Sequence, residues 1–185
     1  MNHSHKSKTF VSKALFLDRD GVLNHDNGYT HVWSPKLIIK DSIKLIKKFN
    51  QSGYLVIVVT NQSGIGRKYY TEKQLWNFMK LMIDFLSDNC ARIDDYFYCS
   101  CNPKEKECFN RKPNPGMFLS AIDKHRIDPH QSFMVGDKIS DMVAAEAANV
   151  SNRYLFDPFR KIELPKSLDN NYHILDSLRR LKPPT

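Results

Sequence analysis

The sequence predicts an α/β fold, an open parallel sheet in three layers with helices on both faces, and three observations carry that prediction. Short apolar, β-rich runs alternate with helix-like patterns along the 185-residue chain. The two clearest runs, Ala14-Leu15-Phe16-Leu17 and Leu55-Val56-Ile57-Val58-Val59, are apolar without interruption, as strands buried on both faces are. Polar residues able to do chemistry follow the strands at once: Asp18 and Asp20 after the first, Thr60 and Asn61 after the second, Asp137 and Lys138 after a run at 133–135. In open sheets of this kind ligands bind beyond the carboxyl ends of the strands.

Taken in order, residues 1–12 read as a flexible polar leader without the apolar core of a signal peptide, and residues 13–185 as one domain. The first strand is followed by a Gly-containing loop, then by a helix pattern over 42–51 that stops near Gly53. After the second strand comes a helix over 71–89, opened by Thr71-Glu72. Strands at 96–98, 133–135 and 154–156 alternate with helices at 115–124 and 141–149, and a weaker strand lies at 173–175. Arg179-Arg180-Leu181-Lys182 reads as the solvated side of a terminal helix.

Composition narrows the partners. The formal charge of +8 suits a phosphorylated substrate or a polyanion. The basic residues are scattered and aromatic residues do not interleave with them in a recognisable RNA-binding motif, so a solvated basic surface is favoured over a nucleic-acid site. No apolar run approaches the roughly 20 residues that a membrane-spanning helix needs, and the expectation is a cytoplasmic monomer. Its four cysteines are then expected to be reduced.

Asp18 and Asp20 stand two apart at a strand end, so their carboxylates project to one side and Arg19 to the other. Two carboxylates on one side attract a divalent cation, and hard oxygen ligands with room for water suit Mg²⁺. Gly21 lets the backbone turn away without a side chain in the site. A solvated Asp-Gly turn is the alternative for this tetrapeptide alone. Asp137 and Asp141 also have a local alternative, as N-cap and first-turn charges of a helix.

Four segments in order, FLDRDGVLN, VVTNQSG, RKPNPGM and MVGDKISD, resemble the motifs of the haloacid dehalogenase-like phosphatases over roughly residues 13–150. NHDNGY, TNQSGIGR and a cysteine loop before RKPNPGM resemble the subgroup of heptose 1,7-bisphosphate and histidinol-phosphate phosphatases. The resemblance implies a Rossmann-like core, with Asp18 as covalent nucleophile and Asp20 as general acid/base. It implies Mg²⁺ held by Asp18, Asp137 and the Asp20 carbonyl, with Thr60, Asn61 and Lys112 stabilising the phosphoryl group. Asp26, Asn27, Gly28, Tyr29, Asn61, Gln62, Ser63 and Arg111 would line the sugar and its distal phosphate, with Lys138 orienting the carboxylates beside them. Asn27 stands where the subgroup has His. No long insertion follows the first motif, so no large cap domain is expected.

The implied substrate is the 7-phosphate of a heptose bisphosphate, on the way to nucleotide-activated heptose for lipopolysaccharide or another surface polysaccharide. Histidinol phosphate is the nearest alternative, and a nucleic-acid 3′-phosphate a more distant one. Cys99, Cys101 and Cys108 lie where the subgroup places a structural zinc, with Asn110 in place of the last cysteine.

Overall fold

The computed structural model describes residues 11–105, 107–160 and 172–184, so most of the leader at 1–12 lies outside the described residues. Among the described residues six parallel strands form one sheet in the order β3-β2-β1-β4-β5-β6: β1 (Ala14–Leu17), β2 (Leu55–Asn61), β3 (Asp95–Cys99), β4 (Phe133–Gly136), β5 (Asn152–Phe156) and β6 (His173–Leu175). Strand order reverses across β1 and β4, which places the switch-point crevice where the sequence put its aspartates.

The alternation of side chains along the central strands builds two cores. Leu15 and Leu17 of β1 join Val56 and Val58 of β2 on one face, against α1 (Lys40–Gln51) and α3 (Glu72–Asp88). Ala14 and Phe16 point the other way and join Ile57, Val59 and Met134 against α4 (Gly116–His125) and α5 (Ile139–Ala147). Phe16 is fully buried and packs on Phe118 with ring centroids 5.1 Å apart. Truncating it to Ala removes core of the kind that costs about 3–5 kcal/mol.

The elements depart from the sequence expectations at their ends. β2 runs on through Thr60 and Asn61, because these pair with Tyr98 and Cys99 of β3. α3 is capped by Thr71, whose reciprocal partner is Gln74 rather than the neighbouring Glu72. α5 starts two residues earlier than expected, since the Lys138 N–H donates to Asp141 Oδ2 at 3.0 Å and closes the first turn. A single helical turn, α2 (Ser63–Gly66), was not foreseen. The expected terminal helix is instead a 3₁₀ turn, Leu178–Arg180, held by Arg179 on Asp41 and Arg180 on Asp176. Among the described residues no helix is long and apolar enough to cross a membrane. The β1–α1 loop carries only a 3₁₀ turn at Pro35–Leu37 and adds no second sheet or helical cap.

Candidate active site

The Asp18 N–H donates to the Val135 carbonyl at 3.0 Å, so the β1–β4 ladder itself fixes this residue at the carboxyl end of the sheet. Lys112 arrives from the loop before α4 and is equally sealed from water. Its Nζ donates to Asp18 Oδ1 at 3.0 Å and to the Val59 carbonyl at 2.8 Å, and it pairs with Asp141 Oδ1 at 2.6 Å. Asn61 braces Lys112 from both sides, Nδ2 donating to the Lys112 carbonyl at 3.0 Å and Oδ1 accepting its N–H at 3.1 Å. Asp141, left by the sequence between helix charge and site residue, is therefore part of the charged centre.

The Lys112 ammonium pairs with two carboxylates, and a third, Asp137, crowds in beside them. Oxygens of Asp18, Asp137 and Asp141 lie within 4.8 Å of one another, and Asp137 Oδ1 is buried without a hydrogen-bond partner. Burial, then the neighbouring Asp18 charge, pushes the Asp137 carboxyl up to about 8. Asp18 is also raised, by burial foremost and against the pull of Lys112. For Lys112, burial is outweighed by Asp141 and Asp18, which hold its ammonium protonated. A Cβ at Gly21 would overlap the Asp137 carboxylate, and one at Gly136 would overlap Asp141, so both glycines are what admit the acids to so small a space. Crowded hard oxygens, one of them unpartnered, fit a small dication such as Mg²⁺.

Asp20 is held differently. Arg19 does not point away into its own environment as the strand periodicity suggests. It is fully buried and forks onto Asp20, Nη2 at 2.8 Å and Nε at 3.1 Å from Oδ2, while donating to the Thr30 carbonyl at 2.7 Å. Its guanidinium lies 4.5 Å from the Phe78 ring centroid. Asn24 Nδ2 donates to Asp20 Oδ1 at 2.9 Å, and Gln62 Nε2 to Asp20 Oδ2 at 3.0 Å and Thr60 Oγ1 at 2.8 Å.

These residues open onto a cavity of about 490 Å³ whose wall includes Asp18, Asp20, Lys112, Asp141 and Asn61. Family membership follows from comparison with known proteins. Residues 18–154 match the family model described as polynucleotide kinase 3 phosphatase. The D-glycero-beta-D-manno-heptose-1,7-bisphosphate 7-phosphatase of Pasteurella multocida is 40% identical over 176 residues, 92% of this chain and 95% of that protein. The chain belongs to the haloacid dehalogenase-like phosphatases. The like-named enzyme of Escherichia coli K12 is 42% identical over 148 residues, covering 77% of the phosphatase described here and 78% of its own length. The crystal structure of the D,D-heptose 1,7-bisphosphate phosphatase from B. bronchiseptica, complexed with magnesium and phosphate, superposes with a TM-score of 0.78 at 26% identity, covering 90% and 94% of the two chains.

The phosphatase's outer wall is formed by Asp26, Gly28, Tyr29, Ser63, Arg111 and Lys138. Lys138 Nζ stands 3.5 Å from Asp26 and 3.9 Å from Asp137, so it links the loop at 26–29 to the acidic centre. Asn27 is exposed and lies off the cavity wall, its N–H donating to Thr30 Oγ1 at 3.2 Å in the loop's own turn. Gln62 is in the wall but only 2% exposed, with its amide committed inward. Arg19, Asn24 and Tyr70 were not named as site residues from sequence. Arg19 and Asn24 lie inside the first motif, FLDRDGVLN, which was the available signal.

The phosphatase's cysteine loop departs from expectation. Cys99 Sγ is 3.3 Å from Cys108 Sγ, and the sulfurs of Cys99, Cys101 and Cys108 form one cluster. Within it Cys101 and Cys108 are joined in a disulfide rather than reduced, because the intervening turn brings their Cα atoms to 6.5 Å. Cys90 is apart from the cluster and exposed.

Proposed function

We propose that this phosphatase removes the 7-phosphate from D-glycero-D-manno-heptose 1,7-bisphosphate through an aspartyl-phosphate on Asp18. The observation that carries it is the sealed contact of Lys112 with Asp18, which supplies a fixed positive charge beside a carboxylate at the floor of a 490 Å³ cavity. An Asp18 oxygen attacks phosphorus in line as the bond to the sugar oxygen breaks. Asp20 gives that oxygen its proton, then takes one from the water that hydrolyses the acyl phosphate. Asp18, Asp137 and the Asp20 carbonyl would hold Mg²⁺, which supplies charge against the repulsion of nucleophile and phosphate. Thr60 and the backbone at Asn61 donate to the phosphoryl oxygens.

The substrate assignment is supported by the names and coverage of the relatives and by the rim. Arg111 offers a bidentate cation to a second phosphate at a distance from the first, with Asp26, Gly28, Tyr29 and Ser63 lining the sugar between the two phosphates. The product would feed synthesis of a nucleotide-activated heptose for surface polysaccharide. In the reduced chain the three clustered sulfurs would offer a three-thiolate set, one ligand short of a closed zinc site.

The test is kcat/KM on heptose 1,7-bisphosphate against histidinol phosphate. Preference for the bisphosphate is expected, and higher efficiency on histidinol phosphate overturns the assignment. A nucleic-acid 3′-phosphatase has the family description and the +8 charge in its favour. Oligonucleotide 3′-ends turned over faster than the sugar phosphate, with steep loss on adding salt, would establish that alternative.

A further inference from the structure

Gln62 stands in the cavity wall, yet its amide has little left to offer a substrate. Nε2 donates to Asp20 Oδ2 at 3.0 Å and to Thr60 Oγ1 at 2.8 Å, while Oε1 accepts the Tyr70 hydroxyl at 2.6 Å. Only this orientation lets Gln62 donate to the Asp20 carboxylate, since the reversed amide would set oxygen against oxygen. The Asp20 carboxylate sets that orientation, and the Tyr70 hydroxyl, donating to Oε1, anchors the other end of the amide.

Tyr70 is built to stay there. It is 5% exposed, and its ring stacks on His31 at 4.9 Å with the planes 9° apart. A Cβ at Gly64 would overlap the Tyr70 ring, so that glycine lets the ring close onto the site. Burial pushes the phenol up to about 12, which keeps it a donor throughout the neutral range. The other groups on Asp20, Arg19 and Asn24, come from the same loop as Asp20 and would move with it. Gln62 reaches it from the end of β2, 42 residues away in sequence, and is the tie between that loop and the sheet.

We propose that Tyr70 is a positioning residue for phosphoryl transfer: by locking the Gln62 amide it holds Asp20 Oδ2 where the carboxyl can protonate the departing sugar oxygen. It rests on the acid/base role proposed above for Asp20. The bond order of events is unchanged: Asp18 oxygen to phosphorus forms, phosphorus to sugar oxygen breaks, and the Asp20 proton moves to that oxygen.

The proposal has a leaving-group signature. A sugar alkoxide needs the proton as it departs, whereas p-nitrophenolate does not. Tyr70→Phe keeps the ring and deletes the hydroxyl. In single-turnover phosphorylation it should slow the sugar phosphate about tenfold and p-nitrophenyl phosphate less than about twofold, with KM for the sugar phosphate unchanged. Equal losses on both esters, or no loss on either, overturn it. Should Tyr70→Phe fail to fold, Gln62→Met removes the same tie, and the same pattern is required of it. Asp20→Asn serves as the reference: if it shows the selective loss and Tyr70→Phe does not, the positioning role alone fails. If Asp20→Asn slows both esters equally, the acid/base role fails and the positioning role with it. A wild type inactive on heptose bisphosphate sinks only the substrate assignment, and the comparison is then made with whichever alkyl phosphate it hydrolyses.

Discussion

The Lys112 ammonium lies 2.6 Å from the Asp141 carboxylate, and both side chains are sealed from water at 2% and 1% exposure. A second carboxylate, Asp18, takes the same ammonium at 3.0 Å. Removing this cation leaves buried acids facing one another, and breaking a buried pair from one side typically costs about 3–5 kcal/mol. Lys112→Met is expected to lose stability on that order in urea unfolding without Mg²⁺, and less with it. Its kcat should fall by about a hundredfold or more. Unchanged stability in Mg²⁺-free buffer would show that the pair does not carry the charge balance of the site.

The same geometry separates nucleophile from scaffold. Asp18→Asn keeps shape and hydrogen-bonding capacity, leaves Lys112 its partner Asp141, and relieves the repulsion that burial and Asp141 impose on Asp18. Activity should drop at least about a thousandfold while Mg²⁺-free stability holds or rises. Trapping with labelled substrate should give an acid-stable, hydroxylamine-sensitive phosphoenzyme in the wild type and none in the variant. Full activity in Asp18→Asn would refute the covalent route.

Asp137 sets the pH dependence. Its carboxyl titrates at about 8 in the folded chain against an ordinary 3.8, so the native state binds the proton more tightly than the unfolded one. Stability from this group is therefore full at low pH and is lost as pH rises from about 4 through 8, the reverse of a salt-bridged aspartate. Mg²⁺ bound at Asp137, as proposed, would compete with that proton and relieve the repulsion that raises the carboxyl. Thermal unfolding without Mg²⁺ should move to lower temperature between about pH 5 and pH 8, and added Mg²⁺ should raise Tm more at pH 8. An equal Mg²⁺ shift at both pH values would place the cation away from Asp137.

What sequence made legible was local. Leu15, Leu17, Val56 and Val58 announced strands buried on both faces, and Asp18, Thr60 and Asp137 stood out because a polar residue directly after such a strand has few reasons to be there. The missing parts depend on partners far along the chain. Gln62, expected to line the sugar, stands in the cavity wall with its amide tied to Asp20 and Tyr70, and Asn61 braces Lys112 51 residues away. Arg19 was assigned to the opposite side by strand periodicity, but the strand ends at Leu17 and its long side chain forks back to Asp20. α2 is four residues long, too short to leave a periodic trace.

The cysteine loop supplies the last prediction. A structural zinc site wants four tetrahedral nitrogen or sulfur ligands in their metal-binding forms. Here Cys101 and Cys108 are bonded to each other, which leaves Cys99 as the free thiol of the cluster, and burial raises its pKa and disfavours the thiolate. Asn110, at the position of the missing fourth cysteine, is exposed and offers an amide oxygen, a poor zinc ligand. Protein purified without chelator should therefore carry less than about 0.2 zinc per chain by elemental analysis, with phosphatase activity indifferent to a zinc chelator. Thiol titration of the unfolded, unreduced chain should count two of the four cysteines, Cys90 and Cys99. One zinc per chain together with four titratable thiols would replace the disulfide with a three-thiolate site completed by a non-cysteine ligand.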